Sequence, residues 1–112
     1  MTIKQYQEEV ELWIHKYGVR YFDETTNALL LVEEVGELVR IIAREYGEQS
    51  YKNDKKPMDV KKDIADEMTD ILFVLTCLAN QMGINLTEAV TLNMNKKSTR
   101  DKTRHSNNEK LL

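Results

Sequence analysis

Val60, Ile64, Glu67, Ile71, Val74 and Leu78 recur at alternating spacings of four and three. That register returns one face of a helix to a neighbour, so the stretch reads as a helix packed along a seam, with Glu67 occupying a seam position. Leu30, Glu34, Glu37 and Ile41 obey the same rule inside LLLVEEVGELVRII, beside a wholly apolar seam of Ala28, Leu31, Val35, Leu38 and Ile42. A carboxylate moved out of water without a partner costs several kcal/mol. A chain with this pattern must therefore bring its buried acids to something that compensates their charge.

Punctuation residues divide the chain into four helices. Gly18, Gly47 and Gly83 each follow a large residue at the end of a helical pattern, where the left-handed conformation that glycine tolerates ends a helix. The expected helices run from about Thr2 to Tyr17, Asp23 to Tyr46, Asp59 to Met82 and Leu86 to Lys97, with Asn85 and Glu88 as a capping box for the last. EQSYKNDKKPMD, which contains the one proline, reads as a loop. The stretch after Arg100 has no sustained periodicity and reads as a frayed or partner-bound tail. One domain over residues 1–104 and a tail over 105–112 suit a chain of 112 residues, which is long enough for a single modest core.

Composition narrows the function classes. Hydrophobic residues at 41% and charged residues at 31%, with four glycines, favour a helical globular chain over a disordered or β-rich one. The net charge of -3 hides an asymmetry, because the six Lys/Arg and two acids after residue 90 make that stretch positive and the remainder strongly acidic. The acidic body disfavours nucleic-acid binding. A single cysteine, Cys77, excludes disulfide and zinc-cluster frameworks within one chain. MTIKQYQEEV lacks the apolar stretch of a signal peptide and no run approaches a membrane span, so no membrane association and a cytoplasmic location are expected.

Glu34 with Glu37, and Glu67 with Asp70, are i, i+3 pairs on single helical faces. If the second and third helices form an antiparallel hairpin, four carboxylates converge. Divalent cations resolve the repulsion and replace the lost hydration, and an all-oxygen set with no histidine nearby favours Mg²⁺, or Mn²⁺ in its place, over zinc or iron. Salt bridges to Arg40, Arg44 or Lys62 are the structural alternative. Glu33 lies toward the more polar side, where it either assists a second ion or a water, or merely decorates the surface. Gly36, mid-helix at about 1 kcal/mol relative to Ala, marks either a close approach or a tolerated surface position. Trp13, Tyr17, Tyr21 and Phe22 are core residues or a nucleobase platform.

These residues resemble a family signature. Glu33-Glu34-x-x-Glu37 and Glu67-x-x-Asp70 are similar to the E-E-x-x-E and E-x-x-D motifs of the MazG-like nucleoside triphosphate pyrophosphohydrolases, and the likeness covers roughly residues 5 to 104. The resemblance implies an all-α, four-helix bundle-type protomer assembling as a homodimer or a dimer of dimers. It implies Mg²⁺-dependent hydrolysis of (d)NTP to (d)NMP and pyrophosphate, with Glu34, Glu37, Glu67 and Asp70 as metal ligands and Glu33 and Glu34 as catalytic acids. Asn93, Lys96 and Arg100 match the N-x-x-K-x-x-x-R pattern that the family places on the following helix, where it implies phosphate binding. The 29 residues between the acidic motifs (38 to 66) are a long connection for this group. Two other readings stay open: a phosphoribosyl-ATP pyrophosphohydrolase with the same fold, and a non-enzymatic helical interaction module.

Overall fold

The structure is a computed structural model that describes residues 1–53 and 55–112. Helix α1 covers Ile3–Trp13, α2 Glu24–Glu45, α3 Val60–Gln81 and α4 Leu86–Lys96. Among the described residues there is no strand. Each helix starts where a short polar side chain can accept from a free backbone N–H. Thr2 and Gln5 form a reciprocal capping box on α1, Asp23 accepts from Thr26 N at 2.7 Å, Asp59 from Lys62 N at 3.1 Å and Asn85 from Glu88 N at 3.2 Å. The sequence boundaries agree with these to within the capping residues, apart from the C-terminal end of α1.

Three helix ends differ from expectation: Gly83 takes the left-handed conformation (φ 69), but Gly47 ends α2 without it, and two other ends depart further. After α1 the chain makes a wider π turn over Ile14–Gly18, and the left-handed residue is Val19 (φ 70, ψ -57) rather than Gly18. Arg20 N donates to Gly18 O at 2.8 Å, which makes this the rare, strained γ-turn centred on a β-branched residue. The segment after Arg100 is not frayed. A π turn over Lys97–Asp101 runs into a further short helix, α5, over Lys102–Ser106. Periodicity gives no sign of it because a helix that is polar on every side leaves no apolar register to read.

The main packing is the α2–α3 hairpin, with α1 laid on α3 and α4 touching α1. Val10 and Ile14 from α1 and its extension meet Cys77 from α3, with Tyr6, Tyr21 and Phe73 around them. Beside this cluster runs a polar lock. Tyr21 donates to Glu11, Asn80 Nδ2 donates to the Tyr21 hydroxyl at 3.1 Å, and the buried Asn27 donates to Gln81 Oε1 at 2.7 Å. The hairpin covers only part of its own seams: Leu31 and Leu38 are half-buried, whereas Val35 and Ile42 remain exposed. α4 turns away from α3 with a bend of 106°, which gives a radius of gyration of 17.7 Å. A compact chain of this length has a radius of about 13 Å. Among the described residues no single helix is long and apolar enough to cross a membrane.

The Tyr21 hydrogen bond holds the Glu11 carboxyl below its ordinary value, and burial, then the Glu11 carboxylate, push the Tyr21 phenol up to about 12. Because the folded pKa of Glu11 is depressed, its contribution is complete above the ordinary value of 4.5 and is lost as the pH falls through the lowered one. Tyr21→Phe is expected to destabilise the chain by about 1 kcal/mol at pH 7. That difference should shrink as the pH falls below 4.5, which urea unfolding of both proteins at a series of pH values will measure.

Candidate metal centre and its family

Antiparallel packing of α2 on α3 brings the acidic pairs together. One oxygen each from Glu34, Glu67 and Asp70 lie within 4.8 Å of one another. Oxygens on opposite sides of a bound Mg²⁺ stand about 4 Å apart, so modest side-chain rotation closes this set to a coordinating one. Glu37, the fourth acid expected here, is not part of this set, but its charge lies close enough to act on both Glu34 and Glu67. The side chains of Glu34 and Glu67 are half-buried, and each hides one oxygen, Oε2, that has no hydrogen-bond partner. Asp70 and Glu37 are exposed at the rim.

The electrostatics are those of an uncompensated anion cluster. Desolvation, then the neighbouring charge of Glu37, pushes the Glu34 carboxyl above its ordinary value, with Asp70 and Glu33 adding to the effect. Glu67 is raised in the same way, by desolvation first and then by Glu37, Asp70 and Glu34. Every charge named for the two groups is another carboxylate. Among the described residues no lysine or arginine pairs with the four acids, so the salt-bridge alternative through Arg40, Arg44 or Lys62 has no ion pair in its support. Two buried oxygens without donors, set among carboxylates that repel, are what an oxygen-seeking divalent cation satisfies. The residues present fit such an ion.

The other candidate residues fall elsewhere. Glu33 is exposed beside Glu34 and contributes only its charge to that neighbour. Asn93, Lys96 and Arg100 lie on the exposed α4 and the turn after it, whose main tertiary contact is with α1, and Arg100 meets Asp101 at 3.5 Å. Within one chain they are not assembled with the carboxylates. Lys56 of the loop folds back to 3.8 Å from Glu45. A Cβ added at Gly36 would meet nothing within 4 Å in the single chain. Of the four aromatics, Tyr21 belongs to the core, while Trp13, Tyr17 and Phe22 are exposed. Trp13 packs edge-on against Phe73 at 5.6 Å, and Phe73 lies one helical turn from Asp70. Tyr6 carries no motif that a single sequence reveals, yet burial, Cys77 and the Asp70 charge together raise its phenol.

The family model described as the MazG nucleotide pyrophosphohydrolase domain matches residues 22–105, which contain all of these acids and the α4 residues. The chain belongs to the MazG nucleotide pyrophosphohydrolase family. It is 40% identical over 108 residues to the protein YpjD of Bacillus subtilis, covering 96% of this chain and 94% of that one. The crystal structure of YpjD from Bacillus subtilis, a candidate pyrophosphatase, matches with a TM-score of 0.75 at 37% identity over 89% of this chain and 96% of that one. A Bacillus-conserved MazG protein, a nucleotide pyrophosphohydrolase, matches with a TM-score of 0.73 at 36% identity over 92% and 96%. The all-α fold and the hydrolase class agree with the sequence expectation.

Replacing Glu67 by its neutral isostere tests the charge balance of the MazG site directly. Without metal, Glu67→Gln is expected to be more stable than the wild type by about 0.5 kcal/mol, since it removes a like-charge contact. In saturating Mg²⁺ the order should reverse, because the wild type gains binding free energy that the variant lacks. Thermal melts with EDTA and with Mg²⁺ will read both.

Proposed function

We propose that this MazG chain hydrolyses ribo- or deoxyribonucleoside triphosphates to the monophosphate and pyrophosphate, with Mg²⁺ held by Glu34, Glu37, Glu67 and Asp70. The observation that carries the reading is the pair of buried, donorless oxygens on Glu34 and Glu67 among carboxylates that, among the described residues, form no ion pair. When bound, the ion would neutralise the phosphate oxygens and lower the pKa of a water. The chain's own contribution is geometry. α2 and α3 fix the acids on facing turns, so the anhydride bond between the α and β phosphates is presented without reorganisation at the moment of reaction. One water adds across that bond. Glu33, exposed beside Glu34, accepts the proton the water gives up in this reading, and the anhydride bond breaks to release monophosphate and pyrophosphate.

The phosphates also need cations and donors: Lys96 at the end of α4 and Arg100 in the turn after it supply the charge, and Asn93 on α4 a neutral amide donor. Since α4 points away from its own hairpin, we infer that it serves the carboxylates of a second copy. The exposed stripe of Leu29, Val32 and Val39 on α2, with Gly36 between them, and of Met68, Leu72 and Leu75 on α3 supplies the matching contact. Glycine at the centre of an apolar helix face allows close approach of another helix, which gives a use to a residue that touches nothing in the single chain. The exposed Trp13 and Tyr17, adjoining Phe73, provide the stacking surface for a base.

A panel of NTPs and dNTPs with Mg²⁺, assayed for monophosphate and pyrophosphate, tests the reaction. Glu37→Gln and Asp70→Asn are each expected to lower kcat at least ~100-fold, by analogy with the loss of one preorganised electrostatic group. Turnover to diphosphate and orthophosphate, or full activity in both variants, overturns it. Mixing inactive Asp70→Asn with inactive Lys96→Ala should restore activity if one site draws on two chains, because the mixed assembly contains one intact site. A mixture as inactive as its components overturns the shared site.

A further inference from the structure

Gln7 uses both donors of its side-chain amide and its carbonyl on one corner of the fold. Its Nε2 donates to Asn80 Oδ1 at 3.0 Å and to Ile84 O at 2.9 Å, and its Oε1 accepts from Leu86 N at 3.0 Å. Its backbone carbonyl accepts from Asn80 Nδ2 at 2.9 Å. Leu86 is the first residue of α4, and its N–H is one of the donors a helix leaves unpaired at its start. A side chain from α1 thus holds the beginning of α4, the end of α3 and the turn between them. The turn has a defined shape, with Gly83 at φ 69 and Ile84 N bonded to Ala79 O at 2.8 Å. Beyond this corner residues 87–100 are exposed, and α1 is the main element that α4 touches.

We propose that Gln7 is a positioning residue that aims α4, and with it Asn93, Lys96 and Arg100, at the phosphate chain. The inference rests on the reading that α4 binds phosphate. Leverage makes the corner matter. Lys96 is ten residues from the clamp, about 15 Å along the helix, so a rotation of about 10° at Leu86 moves it by about 2.6 Å. A charge-assisted hydrogen bond does not survive that displacement, and misplacements near 1 Å already cost catalysis about 100-fold. Gln7 makes its side-chain bonds to Asn80, Ile84 and Leu86 and none to the acids of α2 and α3. Its effect is therefore on phosphate affinity and not on the cation.

The test uses the full chain with inorganic tripolyphosphate in Mg²⁺, and separately with Mg²⁺ alone, by isothermal titration calorimetry. Gln7→Leu removes all three side-chain bonds at similar volume, and Gln7→Glu keeps the acceptor for Leu86 N but loses both donors. The Kd for tripolyphosphate is expected to rise about tenfold in Gln7→Leu and by less in Gln7→Glu, with the Kd for Mg²⁺ unchanged in both. In the same assay Lys96→Ala should also weaken tripolyphosphate, and adding Gln7→Leu to it should weaken binding by clearly less than the factor Gln7→Leu causes alone, because the Lys96 contact is already gone and only Asn93 and Arg100 remain to be aimed. If Lys96→Ala binds like the wild type, the α4 reading fails. If Lys96→Ala is weak but a folded Gln7→Leu or Gln7→Glu binds like the wild type, the positioning role fails. Equal loss of Mg²⁺ affinity, or fully multiplicative effects in the double variant, assigns Gln7 to general stability instead.

Discussion

Like charges forced together between two packed helices set the terms for the rest of this molecule. Glu34 and Glu67 each hide an oxygen that no protein group satisfies, and their neighbours are further acids. Such a cluster persists only because the surrounding contacts hold the helices in register: the buried Val74 and Leu78, the Val10–Ile14–Cys77 cluster, and the Asn27–Gln81 bond at the far end of the hairpin. Stability gained in those places offsets the strain stored at the acids, which is the usual relation between a scaffold and a reactive site. The rigidity of α2 and α3 also keeps the acids preorganised. Loops would let them drift apart and relieve the repulsion.

Much of the hairpin was legible in the sequence because burial and backbone geometry share one period there. Val60, Ile64, Ile71, Val74 and Leu78 do turn inward, and Asp23, Asp59 and Asn85 do cap. The E-x-x-E and E-x-x-D pairs were visible for the same reason: i, i+3 spacing determines a shared face whatever the tertiary structure. What periodicity cannot carry is the choice among partners. Ala28, Leu31, Val35, Leu38 and Ile42 form as clean a seam as any, yet Val35 and Ile42 are exposed in the single chain, since one neighbouring helix covers one stripe only. Nor does spacing reveal the left-handed residue at Val19, which arises from closing the loop back toward α2, or the helix after Asp101, which has no apolar face. Gln7 gave no signal, and Tyr21 no sign of its polar bond to Asn80, because these roles depend on residues 59 to 79 positions away, such as Asn80 and Leu86.

The division of labour among the helices follows from these constraints. α2 and α3 carry the acids and must be stiff, and α1 supplies both the apolar packing and the polar lock. α4 carries cations and no buried residue, so its sequence is free to be polar while its direction is set from its first turn. On the proposed reading, opposite charges that would meet at one reaction centre are kept on separate arms of the chain, where they do not neutralise each other within a single copy.

The uncovered stripes on α2 and α3 have a consequence for the life of the chain in a cell. An isolated copy exposes Leu29, Val32, Val39, Met68 and Leu72, the kind of apolar surface that chaperones and proteases sample in incompletely folded proteins. If a second copy covers this face, as proposed above, quality control would discriminate between paired and unpaired copies, and a cell making little of the protein would degrade a larger fraction of what it makes.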